Sequence, residues 1–255
     1  MLLQILEFFS EDIAYYSSMN DLLDFEEHGQ WEQLPHEQKN MFYSNIQNTY
    51  TLIKIVTMAV KRKIPHAQLI GLTGNHDIRI LNALRGNTTG HSERLVLEYM
   101  SVLKELGILQ FANGTKREPI VQISDGLKWV HGVSAAKNDS TIIKNTIEQC
   151  AGSDLTLDAG ILYHTVSGHV HRPFLGTHMG VTHANSGCGC SLDPQYMKHV
   201  SNRWRLGIVI TEFEVDGRGV DSTPVTFTRR GNELVTSYKG VPFRTQYDDT
   251  MYYLS

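Results

Sequence analysis

Cysteine, basic charge and long apolar runs are all scarce in this chain of 255 residues. Its three cysteines are too few and odd in number for a disulfide framework, which favours a reducing compartment and predicts a cytoplasmic protein. The net charge of -4 lacks the basic surplus with which duplex-binding modules neutralise phosphates. No run of about 18 apolar residues is present, so neither a transmembrane helix nor a membrane partner is expected. An enzyme with a locally cationic site remains open.

The order of predicted elements indicates an α/β protein. Residues 1–9 have apolar positions interrupted by Gln4 and Glu7, as in an amphipathic helix. A long helix is predicted after Pro35, and the apolar run 67–73 is typical of a buried parallel strand. Alternating strands and helices followed by a strand-rich half predict a sandwich of mixed sheets covered by helices.

Residues 1–228 are predicted to form one domain, which is an ordinary size for an α/β unit. The remaining residues, 229–255, contain Gly231, Gly240 and scattered aromatic side chains without a clear period. We assign no structure to this segment and expect a loosely ordered C-terminal extension.

Polar clusters follow several predicted strands, at the edge of an open α/β sheet where ligands bind. Gly168-His169-Val170-His171 follows a strand over 161–166, and residues at i and i+2 of an extended chain point to one side. Such a histidine pair also occurs on solvated loops. It therefore indicates a metal site only in combination with other clusters.

Three further clusters are ambiguous when taken singly. Gly74-Asn75-His76-Asp77 offers an amide oxygen and a His–Asp pair, although a polar turn capping a helix explains it equally well. Asp21 follows a predicted strand over 13–19, but aspartate is also a common helix N-cap. His131 ends another predicted strand, where a structural histidine is the commoner interpretation.

Taken in order, these clusters resemble the calcineurin-like metallophosphoesterase superfamily. That family carries D-x-H, G-D-x-x-D, G-N-H-D/E, a single H and G-H-x-H. The last three blocks match residues 74–77, His131 and 168–171, and the phrases at 75–80 and 204–207 are similar to phage and prophage members. The second block has Asn20 in place of glycine, and asparagine tolerates the left-handed turn. The D-x-H block is absent.

The resemblance implies a four-layer α/β/β/α sandwich of two mixed sheets flanked by helices, with the first strand missing. It also implies two divalent metal ions, with manganese favoured and iron, zinc or nickel as alternatives. Asp21 would bridge the ions, one ion would be held by Asn75, His131 and His169, and the other would be held by His171. Without D-x-H the latter site is incomplete, so we expect one ion bound well and a second bound poorly.

The resemblance also assigns the reacting groups. His76 would stabilise the phosphoryl oxygens or protonate the leaving oxygen, and Asp77 would orient its ring. Arg79 could contact substrate phosphate, although a solvated arginine at a helix start is the commoner interpretation.

The predicted function is therefore hydrolysis of phosphoesters, as a phosphodiesterase or phosphatase whose substrate is a nucleic acid or a nucleotide. Because the metal site at His171 is incomplete, slow turnover is predicted. The alternative is a catalytically degenerate metallophosphoesterase fold that serves as a scaffold or binding protein.

Overall fold

The computed structural model of the chain describes residues 1–18, 39–72, 74, 97–98, 100–101, 104, 109–111, 120–132, 136–151, 162–189, 192, 203–214 and 219–247. Its longer helices are α1 (Leu2–Phe8), α2 (Lys39–Lys63) and α3 (Asp139–Ala151), with a 3₁₀ turn at Ser10–Asp12. The described residues between 97 and 104 are also helical.

Strands provide the remaining regular structure. The described strands are β1 (Tyr15–Ser17), β2 (Gln68–Leu72), β3 (Leu109–Phe111), β4 (Ile120–Ser124), β5 (Leu127–Val130), β6 (His164–Ser167), β7 (Phe174–His178), β8 (Val181–Asn185), β9 (Gly207–Glu212), β10 (Asp221–Thr226), β11 (Thr228–Arg230), β12 (Glu233–Tyr238) and β13 (Val241–Gln246). Contacts divide the chain into two compact units, one containing Met1–Ala112 and the other comprising Asn113–Asp248.

In the first unit, β1, β2 and β3 form a parallel sheet in that order. A parallel β1–β2 pair requires a crossover, and α2 lies in the intervening chain. The predicted amphipathic helix is confirmed as α1: Leu6 is buried in a cluster with Val60 and Ile64 of α2 and Leu69 of β2. None of the described helices is long and apolar enough to cross a membrane.

In the second unit, a mixed five-stranded sheet has the order β4-β5-β6-β8-β7. Strands β5, β6 and β8 run parallel, whereas β4 and β7 pair antiparallel at the two edges. Helix α3 packs against β6, β7 and β8, and its Ile142, Ile143 and Ile147 are buried. The α/β class predicted from the sequence is thus confirmed, with mixed strands and covering helices consistent with a sandwich.

The segment after residue 228 differs from the expectation of loose order over its described part. Strands β11, β12 and β13 form an antiparallel sheet in which Tyr238 and Phe243 are buried. Gly231 and Gly240 have φ of +60° and +79°, and they occupy the turns between these strands. These strands are short and rich in threonine and charged residues, so their apolar residues do not alternate clearly enough for the strands to be predicted from the sequence. The domain boundary at 228 stays a prediction.

Candidate metal centre

Two histidines meet at one edge of the five-stranded sheet. His131 follows the last residue of β5, and His169 lies two residues beyond the end of β6. Since β5 and β6 are adjacent and parallel, their carboxyl ends lie at the same edge. The Gly168 amide donates to the His131 carbonyl at 2.8 Å, which carries the backbone pairing past the strands to the histidines themselves.

The two rings face each other through nitrogen atoms. His169 Nδ1 and His131 Nε2 are 3.2 Å apart, and the ring planes are inclined by 72°. Nitrogens bound to one ion at about 2.0–2.1 Å with angles of about 90–109° would lie about 2.8–3.4 Å apart. The spacing therefore suits two ligands of one cation. It equally suits a neutral pair in which one ring nitrogen donates its hydrogen to the other.

Gly132 makes this approach possible. A Cβ atom at this position would lie 2.3 Å from the Cβ of His169, and the residue has φ of +154°, where side chains are strained. His131 itself is 1% exposed. Close packing of the Gly132 backbone against the His169 side chain therefore holds the two histidines near each other.

We call residues Gly168–His171 the histidine loop. Residues 169 and 170 form a turn, and His171 has a left-handed φ of 57°, so the extended geometry assumed from the sequence is wrong here. The His171 ring lies 4.3 Å from the Trp204 ring, and its carbonyl accepts a hydrogen bond of 3.0 Å from the Arg205 amide. His171 is therefore held by residues 204–205.

Arg172 ties the end of the histidine loop to the start of α3. Its Nε donates to Asp139 Oδ1 at 2.7 Å, and its Nη2 donates to the Ala136 carbonyl at 3.0 Å. With 15% of its side chain exposed, Arg172 is largely enclosed. No motif in the sequence marked this residue.

The three other histidines close in sequence, His164, His178 and His183, lie in strands. His164 Nδ1 contacts Thr182 Oγ1 at 2.7 Å, and burial lowers the pKa of His164. His178 Nε2 lies 3.4 Å from Glu148. His183 is fully buried, and burial lowers its pKa to about 4. His183 Nδ1 contacts the Thr165 hydroxyl at 2.8 Å, so His164 and His183 each have a hydrogen-bonding partner.

The other residues predicted for the site lie outside the described residues: Asp21, Asn75, His76, Asp77 and Arg79. Within the described residues, no group of three or more His, Cys, Asp or Glu side chains is arranged to hold a metal ion. Of the three predicted ligands that are described, His131 and His169 face each other through ring nitrogens and His171 packs on Trp204, and all the ligand roles remain predictions.

Comparison with known proteins adds little to this geometry. No family model matches the chain, and no curated protein matches it. Among solved structures, a double mutant of Vps29 from Entamoeba histolytica is similar at a TM-score of 0.27 and 12% identity, over 59% of this chain and 76% of that one. A single mutant of the same protein has a TM-score of 0.26 and 15% identity over the same shares. Values this low assign neither family nor function.

Proposed function

We propose that the protein is a metal-dependent phosphoester hydrolase of calcineurin-like metallophosphoesterase type. The observation that carries the proposal is the 3.2 Å separation of His131 Nε2 and His169 Nδ1 at the carboxyl edge of parallel strands. Ligands bind at this edge in open α/β sheets. The order of sequence blocks that includes these two histidines supports the same conclusion.

The donor set fits a transition-metal cation. Imidazole nitrogens suit zinc, iron and nickel as well as manganese in mixed N/O sites, and manganese is the favoured ion. His131 and His169 would hold this ion together with Asp21 and Asn75. A bound cation of this kind supplies a Lewis acid and lowers the pKa of bound water toward neutrality.

The protein's own groups would do the remaining work. Burial of His131 and the close contact at Gly132 keep the first two donors fixed before a substrate arrives. His76 would donate a proton to the leaving oxygen, with its ring oriented by Asp77, and Arg79 would bind a phosphate oxygen. The favoured substrates are a nucleic acid or a nucleotide, and the proposed location is the cytoplasm.

A hydrolysis assay tests the proposal. The full chain, supplied with Mn²⁺, is given an aryl phosphodiester alongside His169→Ala and a control variant, His178→Ala. His178 lies on β7 beside Glu148, so its loss should leave turnover unchanged. We expect slow manganese-dependent turnover that His169→Ala abolishes.

Equal turnover in the His169 variant would refute the proposal. If manganese binds through the two histidines but no phosphoester is hydrolysed, the degenerate scaffold is the better description.

A further inference from the structure

A buried polar network lies beneath the histidine loop. It consists of Thr165 and Ser167 on β6 and His183 and Asn185 on β8, each at most 1% exposed. Buried polar groups are costly unless they are hydrogen-bonded. Their position under the proposed metal ligands therefore calls for an explanation.

The topology places Asn185 beneath the connection from β6 to β7. The sheet order β6-β8-β7 puts β8 between the strand that enters the histidine loop and the strand that follows it. Asn185 is the last residue of β8, and its register partners are Ser167 of β6 and Phe174 of β7. The chain therefore passes from β6 to β7 over the end of β8, where Asn185 lies.

The Asn185 side chain joins both ends of the histidine loop. Ser167, immediately before the loop, donates its hydroxyl hydrogen to Asn185 Oδ1 at 2.7 Å. Asn185 Nδ2 donates to the carbonyl of Arg172, immediately after the loop, at 2.9 Å, and to the Ser186 carbonyl at 2.7 Å. Both hydrogens of the amide and its oxygen are therefore used. We call Ser167, Asn185 and Arg172 the loop clasp.

The rest of the network can be satisfied by one consistent set of hydrogen-bond donors. Because the Ser167 hydroxyl donates to Asn185, it accepts from His183 Nε2 across 3.3 Å. His183 then carries its hydrogen on Nε2, and its Nδ1 accepts from the Thr165 hydroxyl at 2.8 Å. The direction Thr165 to His183 to Ser167 to Asn185 satisfies each side-chain donor along the chain. The orientation of the Asn185 amide itself is set by its two carbonyl acceptors, Arg172 and Ser186, and does not require Thr165.

We propose that Asn185 is a positioning residue for the candidate metal centre: by closing the base of the histidine loop, it holds His169 opposite His131. The role in metal binding rests on the proposed function. Groups that fix the orientation of metal ligands commonly change metal affinity by about 10–100-fold when they are removed.

Three variants separate positioning from general stability. Asn185→Ala and Ser167→Ala open the clasp, whereas Thr165→Val is the matched control. Thr165 and Ser167 lie on the same strand and are equally buried, but the Thr165 hydroxyl contacts His183 and makes no contact in the clasp. Ser167→Ala is the milder change should Asn185→Ala fail to fold.

The first arm uses metal-free protein. Amide hydrogen exchange is measured at Gly168 and His171, whose amides are hydrogen-bonded at the loop, with β4 as the internal reference. We expect faster exchange at the loop in both clasp variants, by about 10-fold or more relative to β4, and no such local change in Thr165→Val. Unchanged loop exchange in a folded clasp variant would overturn the proposal.

The second arm is a titration with Co²⁺, followed by its visible absorption. We expect both clasp variants to bind at least about 10-fold more weakly than the parent, and Thr165→Val to bind within about twofold. An equal loss in Thr165→Val would assign the network to stability alone and refute a positioning role. If the parent itself does not bind Co²⁺ through His131 and His169, the proposed function fails, whatever the loop exchange shows.

Discussion

The buried His183 should make the stability of the protein depend on pH. Its pKa is about 4 in the folded chain because burial disfavours the charged ring, against an ordinary value of 6.5. Between these values the unfolded state binds more protons, so stability is complete above pH of about 6.5 and falls as the pH drops toward 4. The loss has this sign because the folded pKa is depressed.

The size of the loss follows from the two pKa values. They differ by about 2.5, and each pKa unit corresponds to about 1.4 kcal/mol. His183 should therefore remove about 3 kcal/mol from the free energy of unfolding between pH 7 and pH 4. His183→Gln retains a buried amide that does not titrate and should lack this contribution.

The assay is urea denaturation of metal-free protein at pH 7 and pH 4, for the parent and for His183→Gln. Carboxylates and other histidines contribute to both proteins and cancel in the difference between them. We expect the parent to lose about 3 kcal/mol more than the variant. The same loss in both proteins would show that His183 is not held neutral by burial.

Two further predictions concern glycines at close contacts. Gly132→Ala should displace His169, because the new Cβ would lie 2.3 Å from the His169 Cβ. We expect weaker Co²⁺ binding and a free energy of unfolding lower by about 1–3 kcal/mol. A Co²⁺ affinity equal to that of the parent would contradict the packing described. Gly176→Ala should cost about 1–3 kcal/mol because its Cβ would lie 2.3 Å from Ile143 Cδ1. Ile143→Val removes that atom, so a double-mutant cycle by urea denaturation should show partial rescue, and strictly additive losses would argue against the contact.

Much of the local structure could be predicted because it follows from the clear spacing of apolar residues along the sequence. The apolar pattern predicted α1 and α2, and the apolar run 67–73 predicted the buried strand β2. These signals depend on neighbours in sequence.

Elements at the edges of sheets were harder to predict. Strand β7 was not predicted, and it is an edge strand with Leu175 half exposed and Gly176 facing Ile143. Such a strand has no clean alternation of apolar and polar residues, because the partner strand and the covering helix determine its burial.

The candidate site divides in a similar way. The sequence blocks selected His131 and His169, and the structure brings their rings together. Nothing near Asn185 in the sequence distinguished it, because its role depends on β8 lying between β6 and β7. Gly132 and Arg172 were missed for the same reason, since their partners are distant in sequence.

The most direct test of the central claim is a crystal structure of the full chain grown with Mn²⁺, using anomalous scattering to locate the ion. We predict an anomalous peak bonded to both His131 Nε2 and His169 Nδ1, at about 2.1 Å from each. Rings that remain in direct hydrogen-bond contact with no ion between them, while Mn²⁺ binds elsewhere or not at all, would contradict the account.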